Sequence, residues 1–526
     1  MTFRLLGPKH LRSSQGMTAP CSESEVADFG TYQRWLFVIT QLGYLPVAGS
    51  MLATTFFEPS KIHCDRIRND SLSPMENAPF ESFLFEQDDE NFYSLLMHWK
   101  LACRQSVIPT FISFFVMFGG VLGAFVAGYL ADRFGRKPVV VGTMTALCLG
   151  NLLLMALGDS HWALTGVVLG CLGAASGGYM VTNMVLVVEA LDKARSRLLV
   201  VSMNGWPIGM SFVAICAWLS RHWWTYHLVV AVSAGIFVVV LQTFSLESVR
   251  WLVQHNRHVR ADKIRLIIDN RNGLSSTPSP CVRFSDAQSS LEPLTTPVGT
   301  ERPTPPSPRR HYTYVDLFTN RAVRSHLLAL LYCFTASSMV SFGIYFNVEA
   351  LPGNRFVNLL SMGALKFSLG LVPFFVSGWL GRRPIVLLST GVATLAGWSL
   401  VVAWIALRLG NHWLISALSI TVTAALDPTW KINHLYSTEL FPTVVRNMAR
   451  AVCNVGARLG GVVAPGIVFL RSTNEVFPYV VFSALLSVQW LVSFAFLPET
   501  KDKPLNDVLE ENATENSQED DADRSV

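Results

Sequence analysis

The chain has 526 residues, 51% of them hydrophobic and 15% charged, which is more apolar surface than a water-soluble core of that length would bury. Its 41 Lys and Arg against 37 Asp and Glu leave a formal charge of only +4. That charge is spread along the chain without basic-aromatic interleaving, which argues against a nucleic-acid partner, and the composition as a whole points to a lipid bilayer.

Residues 1–34 carry Arg4, Lys9 and Arg12 but no sustained apolar stretch of the signal-peptide kind. The expectation is a cytosolic N-terminus, with the first span acting as its own insertion signal. Apolar stretches long enough to cross about 30 Å of hydrocarbon follow at 35–57, 107–130, 138–157, 162–188, 198–219 and 226–244. Hydrophobicity then stops. Residues 247–325 read as a cytosolic linker, basic and helical from His255 to Arg271 and Pro/Ser/Thr-rich over 275–310, where disorder is expected. A second set of spans is predicted at 326–346, 357–379, 384–407, 412–430, 452–470 and 478–497, before an acidic tail at 499–526. The count is about twelve, in an N-terminal bundle over 35–246 and a C-terminal bundle over 326–498.

Short loops retain Lys and Arg on the cytosolic side. Arg133, Arg136 and Lys137 follow the second span, Lys193, Arg195 and Arg197 the fourth, Arg382 and Arg383 the eighth, and Arg446 and Arg450 the tenth. These loops share one side, which puts both termini in the cytosol. The loop over 58–106 lies on the other side, with Glu86, Asp88, Asp89 and Glu90 in a near-continuous acidic run. It contains the glycosylation acceptor Asn69-Asp70-Ser71 and two cysteines, Cys64 and Cys103, which an oxidising compartment can join. Cysteines such as Cys148, Cys171, Cys216, Cys333 and Cys453 sit in apolar runs and read as small hydrophobes; no metal-ligand spacing occurs.

After the second span the text reads Gly128-Tyr129-Leu130-Ala131-Asp132-Arg133-Phe134-Gly135-Arg136-Lys137, and a weaker copy, Gly378-Trp379-Leu380-Gly381-Arg382-Arg383, follows the eighth. The first resembles the cytosolic loop motif of the major facilitator superfamily, and its recurrence in the second half is what an internal duplication predicts. Glu247-Ser248-Val249-Arg250-Trp251-Leu252 is similar to a motif shared by sugar porters and organic ion transporters, with Leu246 and Val249 where prolines would stand. Glu439-Leu440-Phe441-Pro442-Thr443-Val444-Val445-Arg446-Asn447, the stretch Ala457-Arg458-Leu459-Gly460-Gly461-Val462-Val463-Ala464-Pro465 and Leu497-Pro498-Glu499-Thr500-Lys501 resemble the organic cation/anion transporter family, solute carrier family 22. The resemblance implies an all-α membrane protein with two six-helix bundles. It also implies alternating access to a midplane site, as uniport or exchange of a small organic ion, with no cofactor. No phosphate loop and no catalytic constellation occurs, so neither ATP drive nor an enzyme is expected. Oligomeric state is not legible.

Ionisable residues inside a span are costly unless they meet a cavity or a partner. Arg458 stands in the glycine-rich eleventh span with no acidic residue within a turn. In the family this position tends to be acidic in cation carriers and basic in anion or zwitterion carriers, so the resemblance implies an anionic cargo. Lys366 in the eighth span carries a related meaning about one turn from the usual lysine position. Lys431 is read both as a ligand contact and as an internal partner of Asp427, four residues earlier. Phe342, in the family's aromatic position of span seven, with Trp206 and Trp430, is expected to contact substrate. Asp132, Arg133 and Arg136 of the loop motif, with Glu189 and Arg195 or Arg197, Glu247 and Arg250, and Glu439 and Arg446, are expected to latch the halves when the cavity opens outward. Competing readings are an organic cation or zwitterion carrier, and a non-transporting sensor on the same fold. Paired Gly/Pro interruptions at Asn204-Gly205-Trp206-Pro207 and Gly460 to Pro465 mark the fifth and eleventh spans as moving helices.

Overall fold

The computed structural model describes residues 30–59, 92–102, 107–191, 200, 202–273, 315–319, 321–406, 412–442 and 445–501. The predicted acceptor Asn69, the cysteines Cys64 and Cys103, Arg195 and the insert at 275–310 lie outside them.

The first traverse is broken. Helix α1 (Thr31–Leu42) stops at Gly43 and restarts as α2 (Tyr44–Met51). The Tyr179 hydroxyl occupies the space a side chain at Gly43 would need, and it donates to the Thr40 carbonyl at 2.9 Å. Asn183 donates to the same carbonyl at 3.2 Å, so the backbone acceptor near the break is satisfied inside the protein, as lipid depth requires. The half continues with α3 (Ile108–Phe134), α4 (Arg136–Leu157), α5 (Trp162–Glu189), α6 (Trp206–Ser220) and α7 (Trp223–Phe244). Two shorter helices, α8 (Val249–Gln254) and the polar α9 (His258–Arg271), follow.

The second half comprises α10 (Arg321–Phe346), α11 (Arg355–Gly370), α12 (Val372–Val376), α13 (Arg382–Ala406), α14 (His412–Glu439), α15 (Arg446–Phe469) and α16 (Phe477–Phe496). Among the described residues, nine helical segments are long and apolar enough to cross a membrane. The broken α1–α2, the shorter α6 and the polar α14 complete two bundles of six.

Several boundaries differ from those read in the sequence, for local reasons. The fifth span, expected from residue 198, is interrupted: residues 200 and 202 are helical, the helix breaks at 203–205, and α6 restarts at Trp206 with Pro207 in its first turn. Pro465, by contrast, lies inside an unbroken α15. The eighth span divides at Leu371, with Pro373 opening α12. The tenth span, drawn to residue 430, runs through Pro428 to Glu439, since polar residues continue a helix beyond its apolar stretch.

Within the N-terminal half α3 and α5 pack backbone to backbone. A methyl group on Gly119 would enter the Gly170 carbonyl, and one on Gly173 would enter that of Val116, the close approach that small residues permit. The halves meet along α3 with α15 and along α6 with α11, pairs that exchange under the internal duplication. At the end away from Gly135 the halves close: Phe56 stacks on Phe356 with centroids 5.3 Å apart, and Arg355 donates to the Glu58 carbonyl at 2.8 Å. At the end bearing Arg136 and Arg382, here called the basic end, they are parted.

Candidate functional site

A cavity of about 910 Å³ occupies the space between the halves. From the N-terminal half Tyr44, Met51, Met117, Met180, Met184 and Asn204 line it; from the other come Phe342, Trp430, Lys431, His434, Arg458 and Gly461. The first wall is soft and polarizable, able to adapt to differing apolar shapes. The second carries the charge. Toward the basic end the cavity widens past Arg382, Glu439, Arg446, Arg450 and Glu499.

Arg458 projects from mid α15 and is half-buried. Its Nη1 donates to the Met180 sulfur at 3.5 Å, across the cavity, and no carboxylate lies within ion-pair distance among the described residues. A guanidinium at this depth without a counter-charge is unfavourable unless water or a visiting anion reaches it.

The two lysines have a different arrangement. Lys366 of α11 meets Asp427 at 3.2 Å, donates to the Thr423 carbonyl at 3.2 Å and lies 5.8 Å from the Tyr345 ring centroid. Lys431 approaches the other oxygen of Asp427 at 3.7 Å. All three are buried, so one carboxylate bridges two ammonium groups and the cluster keeps a net positive charge. Lys431 lines the cavity; Lys366 does not.

Phe342 lines the cavity and meets Trp206 edge to face, with centroids 5.9 Å apart, a contact that joins the halves. Trp206 supports that ring from behind and is absent from the cavity wall. Trp430 lines the cavity and packs with Phe334 at 5.4 Å and His434 at 5.4 Å.

At the basic end two charge clusters have matching designs. In the first, Arg136 pairs with Asp132 at 2.8 Å and Glu189 at 3.1 Å, while Glu247 accepts the backbone N–H of Arg136 at 2.8 Å. In the second, Arg382 pairs with Glu439 at 3.2 Å, and Glu499 accepts the backbone N–H groups of Arg382 at 2.8 Å and Arg383 at 3.0 Å. Thr500 donates to Glu439 at 2.6 Å. Gly135 sits at φ +113 with the Glu247 carboxylate against its Cα, so a side chain there would be both strained and obstructed.

One expected pairing is replaced, and another, Glu189 with Arg195, involves a residue outside those described. Glu439 is held by Arg382 and not by Arg446, whose Nε donates to the Phe441 carbonyl at 3.2 Å. Glu189 is held by Arg136 of the loop motif. Arg133 stands apart, donating to the Tyr129 hydroxyl at 3.3 Å and lying over Phe134. Arg250 is on α8, whose Trp251 donates to the Asp132 carbonyl at 2.7 Å. Each cluster ties together helices of its own half while the mouth between the halves is open. Burial pushes the Glu499 carboxyl up, but the N–H groups of Lys501, Arg382, Arg383 and Thr500 outweigh that and hold it below the usual range.

Arg382 and Glu499 as partners, Asp427 as the bridge and the four cavity methionines are not among the residues expected from sequence. The first two had a signal: Leu246-Glu247-Ser248 and Pro498-Glu499-Thr500 follow the last span of each half, just as Arg136-Lys137 and Arg382-Arg383 follow the second.

Two helical bundles around a central cavity, closed at one end and open at the other, define a multi-pass membrane transporter. Residues 99–465 match the Major Facilitator Superfamily. Solute carrier family 22 member 15-like of Xenopus tropicalis is 26% identical over 431 residues, 81% of this chain and 82% of the relative. Solute carrier family 22 member 1 of Bos taurus is 28% identical over 80% of this chain and 70% of its own. Organic cation/carnitine transporter 2 of Mus musculus is 25% identical over 83% and 75%. The fold matches the xylose transporter XylE from E. coli in its inward open conformation, with a TM-score of 0.60 at 16% identity, covering 90% of this chain and 98% of that one. The chain belongs to the Major Facilitator Superfamily, and its relatives there are similar proteins named as members of solute carrier family 22. It is a transporter and not an enzyme.

Proposed function

We propose that the cargo is a small organic anion, moved by alternating access as uniport or exchange. The observation that carries this reading is Arg458, a cation in the cavity wall with no carboxylate partner among the described residues. The surrounding charge supports it: the cavity wall includes five Lys or Arg side chains against two carboxylates, Glu439 and Glu499. Both carboxylates sit at the mouth and are engaged, by Arg382 and Thr500 in one case and by backbone N–H groups in the other. A cation entering the cavity would meet no free negative group among the described residues, while an anion would meet Arg458 and, beside it, Lys431. Phe342 and Trp430 offer apolar faces for the rest of the molecule.

In this reading the basic end faces the cytosol of a cell whose plasma membrane holds the chain, both termini are cytosolic, and Asn69 is glycosylated outside. The clusters around Arg136 and Arg382 approach each other across the mouth when the cavity opens outward.

The relatives' names favour a second reading, since organic cation transporters stand among them. Uptake of labelled organic anions and cations into cells expressing the chain separates the two. Anion uptake is expected, and Arg458→Ala should lower its efficiency on the order of 30-fold or more, as loss of a desolvated charge partner does. Cation uptake that is indifferent to Arg458→Ala would defeat the assignment.

A further inference from the structure

We propose that the basic end holds a binding site for the phosphate headgroup of an anionic phospholipid, in a cleft between α4, α7 and α9. The cleft measures about 360 Å³ and is lined by Lys137, Gln242, Leu246, Glu247, Arg260 and Ile264, with Pro138. It is separate from the central cavity and shares no lining residue with it.

Two cations line it from different elements, Lys137 of α4 and Arg260 of α9, and a third, Arg271, is fixed on the same last turn of α7 outside the lining. Lys137, in the first turn of α4, donates from Nζ to the Gln242 carbonyl at 2.9 Å, and Arg271, at the end of α9, donates to the Phe244 carbonyl at 2.9 Å. Both are thereby fixed on the last turn of α7, whose exposed carbonyls favour positive charge. Arg260 enters from the start of α9 and has no hydrogen-bond or ion-pair partner among the described residues. Only one of the three donors of the Lys137 ammonium is used. The one carboxylate in the cleft wall, Glu247, is committed to the backbone N–H groups of Arg136, Lys137 and Ser248. The cleft is thus a positive site with unused donors at which an anion would be stabilised.

A lipid is the occupant that fits, for reasons of position. Arg260, Ile264, Ile267 and Arg271 fall at i, i+4, i+7 and i+11 and form one stripe along α9. The two arginines flank the two isoleucines, of which Ile264 is buried and Ile267 exposed, as are Leu266 on the same helix and Phe244 at the end of α7. The cleft lies where α4 begins and α7 ends, at the edge of the apolar layer where lipid phosphates lie, and basic side chains at that level attract anionic lipid. A free phosphate would satisfy the donors and leave the apolar rim uncovered.

The test uses the full-length transporter in phosphatidylcholine nanodiscs doped with phosphatidylinositol, with retained lipid counted by native mass spectrometry. Three forms are compared: the natural chain, Arg260→Gln, and Arg257→Gln as a control, since Arg257 lies over the Trp251 ring away from the cleft. Phosphatidylinositol should be retained in preference to phosphatidylcholine. Arg260→Gln should weaken that retention about fivefold, the share of one basic side chain at an anionic surface, with Arg257→Gln within about twofold of the natural chain. Equal retention of the two lipids, an equal loss in Arg257→Gln, or displacement of phosphatidylinositol by inorganic phosphate would each overturn the proposal.

Discussion

Glu247 and Glu499, 252 residues apart in number (499 less 247), do the same thing in the two halves. Each accepts at 2.8 Å the backbone N–H of the arginine that opens the helix after the loop motif, Arg136 in one case and Arg382 in the other. A carboxylate at a helix N-terminus satisfies otherwise orphaned donors and complements the helix dipole. Here it also ties the last traverse of each half to the third.

The pH dependence of this bond has a definite sign. The Glu499 carboxyl is held below its usual value of 4.5, so the folded state favours the charged form. Its contribution is complete above that value and is lost as pH falls through the lowered one. Glu499→Gln should lower the melting temperature of the detergent-solubilised protein at neutral pH, by about 1 kcal/mol of stability. The difference from the natural chain should shrink as the sample is acidified below 4.5.

Glu349 runs the other way. It is paired with Arg471 at 3.1 Å beyond the end of α10, and burial, with help from Glu58, pushes its carboxyl up to about 7 against the pull of Arg471. The unfolded chain releases this proton more readily, so ionisation weakens the fold between 4.5 and about 7. Glu349→Gln is therefore expected to raise the melting temperature above that range relative to its effect below it. A benefit confined to acid pH would contradict the burial argument.

The bridge formed by Asp427 predicts an asymmetry. Asp427→Asn leaves Lys366 and Lys431 buried without a counter-charge and should cost about 3–5 kcal/mol, seen as loss of the monodisperse peak in size-exclusion chromatography. Lys431→Met retains the pair of Lys366 with Asp427 and should be milder. Adding it to Asp427→Asn should recover part of the folded yield.

Gly173 tests the contact of α3 with α5. Its missing side chain is where the Val116 carbonyl lies, so Gly173→Val should abolish correctly folded protein. Gly142, with nothing near its Cα on the side a Cβ would take, should accept alanine with a change of less than about 1 kcal/mol. Equal tolerance at both sites would refute the packing argument.

Much of the architecture is visible in the residues because the bilayer simplifies the problem: an apolar stretch of sufficient length has to be a helix. The ends of those helices are harder, since α14 continues past Trp430 on polar residues and the fifth traverse breaks before α6 restarts at Trp206. Arg458 stands out by local reading, since it lacks a nearby acid in sequence and has none at ion-pair distance among the described residues. Lys366 stands out as well, but its pairing was hidden, because its partner Asp427 is on another helix 61 residues away (427 less 366) and no spacing rule reaches so far. The pairing of Glu439 with Arg382 was hidden for the same reason, although the duplicated loop motif held the clue in Glu189 and Arg136.

The most direct measurement is a charge reversal at the cavity centre. Arg458→Asp, expressed at the cell surface at the level of the natural chain, should lose uptake of labelled organic anions and gain measurable uptake of organic cations. If anion uptake persists unchanged in Arg458→Asp, the cavity cation does not select the cargo and the central claim is wrong.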